Sequence, residues 1–193
     1  MSLNQQPELK KAILALPQQE KDKLLVRLIN KDRLPMKQLH FQLLEDESDL
    51  DERVTAVHEQ LQQVMERAGE YIENVNQFRS ADYLMGELKY GSGLINEHVA
   101  VTKDKMSDVR LRLFLVSQSF AHFDRLFERH LYQRNDRLLN YQTGRIKYIL
   151  GKYDKLHEDL QFEFRDELNE ALAFAHQSGM EPYMEALRLP NEV

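Results

Sequence analysis

Cysteine is absent from the 193 residues. Its absence excludes disulfides, thiol nucleophiles and Cys-ligated zinc, and it suits a reducing cytoplasm. Proline is scarce and pushed to the ends, at Pro7, Pro17, Pro35, Pro182 and Pro190. The interval between Pro35 and Pro182 therefore lacks the strongest helix breaker. Long apolar runs are missing too: none approaches the roughly 20 residues needed to cross a bilayer, and no basic stretch followed by an apolar one opens the chain. Neither a membrane span nor a secretory signal is expected. A chain of this length buries about 70% of its unfolded surface, so a core forms without disulfide or metal.

Catalytic signatures are equally thin. Gly86 and Gly91 have the spacing of a phosphate-binding loop, but Ser92-Gly93 stands where Lys-Ser/Thr would meet phosphate and magnesium. Gly91-Ser92-Gly93 begins like a dinucleotide fingerprint, yet Asn96 takes the place of its third glycine and no strand precedes it. No His-Glu-x-x-His or Glu-x-x-His occurs, and Asp154-Lys155-Leu156-His157 offers a shorter carboxylate, once. His122 and His130 lie about 12 Å apart along one helix, too far to share an ion. A serine nucleophile elbow is absent as well. No catalytic, cofactor-binding or metal residue is assigned, and no cofactor is expected.

What the chain does have is helical periodicity. In residues 108–132, Val109, Leu113, Val116, Phe120, Phe123, Phe127 and His130 keep the four-three spacing of one helix face. Leu111, Phe114, Leu115, Ala121, Leu126 and Leu131 widen that face until it wraps most of the helix. A helix apolar on several sides must be covered on several sides, so this stretch is read as one central helix. Val109-Arg110-Leu111-Arg112-Leu113 alternates as a strand would, but no turn residue bounds it.

Around that centre the reading is all-α, a single helical domain with three parts. Residues 4–46 form a layer of three short helices, each with a first-turn proline, packed on a bundle of five long helices at 48–179; residues 180–193 form a tail. Within the bundle, Leu50, Val54, Val57, Leu61, Val64, Ala68, Tyr71, Val75 and Phe78 keep heptad spacing. They suit an intramolecular seam or a coiled-coil dimer. Ser80 is placed as the cap of the next helix. Gly91-Ser92-Gly93 within that helix allows a kink, a close crossing or a loop. Gly179 is placed as the C′ residue of the last long helix.

Charge is unevenly distributed. Residues 1–40 hold eight Lys/Arg against four Asp/Glu, and residues 41–100 hold four against thirteen. Residues 110–155 reverse the balance with ten against four, and residues 156–193 hold two against nine. In the basic block Arg137, Tyr141, Arg145, Tyr148, Lys152 and Lys155 recur at helical spacing, opposite a stripe of Leu139, Ile146, Ile149 and Tyr153. Cations interleaved with aromatics can meet phosphates and stack on bases. The expectation is that the acidic helix carrying Glu158, Asp159, Glu163, Asp166, Glu167 and Glu170 folds beside this face and neutralises it. The function expected is therefore that of a non-enzymatic, cytoplasmic interaction or scaffold protein, able to self-associate, with a protein partner and no membrane. Nucleic-acid or other anionic-partner binding through the six basic and aromatic residues is one alternative, and a ligand- or metal-binding enzyme built in the bundle is another.

Overall fold

The computed structural model describes residues 2–74 and 77–193, and every regular element among them is helical. Two compact units divide the chain, Met1–Asp46 and Glu47–Val193. No helix among the described residues is long and apolar enough to cross a membrane.

The first unit holds α1 (Pro7–Ala15), α2 (Gln18–Ile29) and α3 (Arg33–Leu44). Pro7 occupies the first turn of α1, where its missing N–H costs no hydrogen bond. Pro17 is the N-cap residue of α2 and so stands just before the first turn that its spacing predicts, because the helix begins only at Gln18. Asp32 caps α3 by accepting from the Leu34 amide at 3.0 Å, leaving Pro35 in the first turn. No described residue of this unit is buried, although Leu9, Leu25, Leu28, Leu43 and Leu44 are among its side chains.

The second unit carries the core. Its long helices are α4 (Glu47–Asn74), α5 (Gln77–Thr102), α6 (Lys105–Phe123), α7 (Asp136–Tyr153) and α8 (Glu158–Gln177), with the short α9 (Glu181–Ala186) after them. The heptad residues Leu61, Val64 and Ala68 of α4 are buried, and α5 and α6 are the helices that α4 packs against. Val75, and the side chain of Phe78, lie outside the described residues. α6 touches α4, α5, α7 and α8, so it is the central helix its wrapped apolar surface demands. Val109, Leu111, Leu113, Leu115, Val116 and Phe120 are all buried along it. α7 turns Leu139, Ile146, Ile149 and Tyr153 inward as the spacing requires.

Four local expectations change. The central helix ends at Phe123, and Asp124–Phe127 and Arg129–Leu131 continue as 3-10 turns. The carbonyl of Leu126 accepts from Asn135 Nδ2 at 2.7 Å and that of Phe127 from the Gly179 amide at 2.6 Å. Partners remote in sequence thus hold this stretch out of α-geometry. Phe127 nevertheless turns fully inward, edge-on to Phe120 at 5.0 Å, while His130 is exposed. Secondly, Ser80 lies inside α5, buried, not at its cap. Thirdly, α5 runs unbroken through Gly91-Ser92-Gly93, and a Cβ on Gly91 would sit 3.1 Å from Leu61 and 3.2 Å from Leu115. Of the three readings it is the close crossing. Lastly, no glycine adopts positive φ, so Gly179 does not close α8 in left-handed geometry. A Cβ there would meet the Glu128 carbonyl oxygen at 3.0 Å, and close backbone approach is what its bare backbone permits.

Candidate functional site

Of the six side chains singled out in the basic block, five lie along the outer face of α7 and Lys155 follows it, and the fold treats them in three ways. Arg137, at the N-terminal end, pairs with Asp82 of α5 at 3.2 Å, both side chains well exposed. Lys155, in the turn beyond α7, is exposed. The four between them gather into one cluster with residues of α5 and α6.

The cluster is built around two tyrosines. Tyr141 is half-buried, with its hydroxyl 3.1 Å from Ser92 Oγ and 3.4 Å from the Leu88 carbonyl to which it donates. Burying a hydroxyl requires such partners, and they fix the ring across α5. Arg145 lies over this ring at 5.1 Å and Lys89 of α5 at 5.6 Å. Two turns on, Tyr148 is 40% exposed, and three cations surround its ring: Arg112 at 4.7 Å, Lys152 at 5.1 Å and Arg145 at 5.8 Å. Each such contact is worth about 0.5–1 kcal/mol at exposed sites and more when desolvated.

One carboxylate anchors the set. Asp108, in the first turn of α6, is 1% exposed and accepts from Arg112 Nε at 2.6 Å and from Lys152 Nζ at 2.9 Å. Arg112 also donates to Asn96 Oδ1 at 2.7 Å. The hydrogen bond from Asp108 holds the Lys152 ammonium above its ordinary pKa, against the opposing effect of burial, so the lysine stays charged near neutrality. Arg145 Nε is shielded from water and has no hydrogen-bond partner among the described residues. Against Asp108, the cluster sets Arg112, Lys152, Arg145 and Lys89. It is strongly cationic.

The acidic helix does not neutralise it. α8 packs mainly on α6, and among the described residues it forms an ion pair to a basic residue of another long helix through Glu163–Arg110 at 3.3 Å, both half-exposed. The counter-charges of the α7 face come instead from Asp82 and Asp108. Sequence adjacency favours α7 beside α8, but the apolar stripe of α8 (Phe164, Leu168, Leu172) is claimed by the wider apolar surface of α6.

Arg112, Asp108, Asn96 and Lys89 were not legible as site residues. Asp108 and Arg112 are an i,i+4 opposite-charge pair inside the most apolar stretch of the chain, and that pairing was the available signal.

A cavity of about 1110 Å³ lies apart from this face, between the C-terminal half of α4, the end of α6 and the 3-10 segment. Met65, Ile72, Phe123 and Leu126 line it, with Glu66 and Arg125 also in its wall. His122 and His130 also line it, the first 3.0 Å from Gln118 Oε1 and the second paired with Glu128 at 3.0 Å. No group of three His, Asp or Glu placed to hold a metal ion occurs among the described residues. Comparison with protein-family models, with curated proteins and with solved structures gives no match.

Proposed function

We propose that this chain is a non-enzymatic helical interaction protein, and that the outer face of α7 holds an anionic partner. The observation that carries the reading is Tyr148, open to solvent on a rigid helix, with Arg112, Arg145 and Lys152 around its ring. The buried Asp108 pair preorganises two of these cations before any partner arrives, which lowers the ordering cost of binding. Arg145 presents planar donors suited to phosphate or carboxylate. The net charge of −6 and the acidic blocks on either side in sequence suit a short anionic segment, not an extended duplex. The absence of cysteine suits action in the cytoplasm.

Fluorescence anisotropy with a labelled single-stranded oligonucleotide and a labelled polyglutamate peptide tests this. Binding to at least one probe is expected at low salt, falling steeply as salt rises because counterions are released. Arg145→Glu should weaken binding to every sequence alike. Tyr148→Ala should cost about 1–3 kcal/mol if a base stacks on the ring, and little if carboxylates alone are read. Binding to neither probe, or binding indifferent to Arg145→Glu, overturns the proposal.

A further inference from the structure

The first unit has an apolar surface that its own helices do not cover. On α2, Leu25 is 56% exposed and Leu28 is 53% exposed, and Leu24 beside them is half-buried. At 100° per residue these three leucines fall on one arc of about 100°, the width of a packing face. The unit spans 46 residues and has no buried residue among those described. Units near this size usually draw stability from disulfides, metals or oligomerisation. Cysteine is absent, and no metal-holding group of three occurs among the described residues. Packing against another surface is a further route, and a second copy of the chain is the one that the charges of α2 fit.

The charges on α2 indicate which partner fits. Glu20 stands in the first turn of α2 and Lys31 in the turn that closes it, eleven residues later. Eleven residues is about three helical turns, so both flank the leucine arc on the same side. A two-fold antiparallel pairing centred between Leu25 and Val26 sets Glu20 of each copy opposite Lys31 of the other. Such a surface is complementary to itself, as an isologous interface must be. Acid at the start and base at the end of the helix also match its dipole.

We infer that two copies of this chain associate through α2, antiparallel about a two-fold axis, with Leu24, Leu25 and Leu28 at the seam and Glu20–Lys31 pairs at its edges. This is independent of the anionic partner on α7. Sedimentation equilibrium on the full chain, from micromolar to millimolar concentration, should give a reversible mass of two chains. Leu25→Glu combined with Leu28→Glu should give one chain, with the cooperative unfolding of the second unit retained, because both positions lie outside its core. Glu20→Lys and Lys31→Glu each break both symmetric pairs and should each weaken the dimer roughly two- to thirtyfold, as two exposed ion pairs do. The two changes together should restore it, an outcome that general loss of stability would not produce. A mass of one chain throughout, a dimer indifferent to the leucine changes, or a double charge swap that fails to restore affinity overturns the inference.

Discussion

Removing the carboxylate of Asp108 is the sharpest test of how the second unit is held together. Asp108 and Arg112 are 1% and 5% exposed, and their hydrogen bond is 2.6 Å long. Desolvating an ion pair costs about as much as its attraction returns, so the intact pair adds little net stability. Breaking it is another matter. In Asp108→Ala the Arg112 guanidinium keeps, among the described residues, only Asn96 as a hydrogen-bond partner and remains buried with no counter-charge among them. Lys152, 35% exposed, can swing into water. The expected cost is therefore set by one orphaned cation, about 3–5 kcal/mol, a large share of a total that is typically about 5–15 kcal/mol. Urea unfolding followed by circular dichroism should show a lower midpoint at an unchanged m-value. In Asp108→Ala with Arg112→Met both charges are gone, and most of the loss should return. A single variant within about 1 kcal/mol of the parent, or a double variant no more stable than the single one, would refute the reasoning.

Other consequences follow from burial and close approach. His98 is 6% exposed, and burial lowers its pKa below the ordinary 6.5, so the folded chain favours the neutral ring. The unfolded chain then binds more protons at mildly acid pH; stability is complete above about 6.5 and falls as pH drops below it, a dependence that His98→Asn should flatten in thermal melts across pH. Gly93→Ala should raise stability by about 0.5–1 kcal/mol, since its Cβ meets nothing within 4 Å in mid-helix. Gly91→Val, two residues away against Leu61 and Leu115, should lower it by about 1–3 kcal/mol in the same denaturation assay. Gly179→Ala forces a methyl to 3.0 Å from the Glu128 carbonyl oxygen and strains the 2.6 Å bond to Phe127. A loss of about 1–3 kcal/mol is expected, with faster hydrogen exchange at the Gly179 amide.

Periodicity determined the all-helical class, the long helices of the second unit and the inward stripes of α4, α7 and α8. Those features are local: a 3.6-residue repeat of apolar side chains in a proline-free interval has one way to be buried. The six residues of the α7 face were legible for the same reason, since they occupy the side opposite the core stripe. Tertiary structure decided everything that depended on a partner remote in the chain. Phe127 continues the stripe of α6 by spacing, but bonds from Asn135 and Gly179 draw its segment into 3-10 turns. Gly91 was ambiguous until α4 and α6 approached it. Charge was the least legible of all. Counting along the chain set the acidic α8 against the basic α7, whereas the fold sets one buried aspartate, Asp108, among Arg112 and Lys152 and leaves Tyr148 open to water. Apolar stripes decide which helices touch because burial supplies most of the packing energy, and exposed charges at about 0–1 kcal/mol per pair are too weak to choose the neighbours.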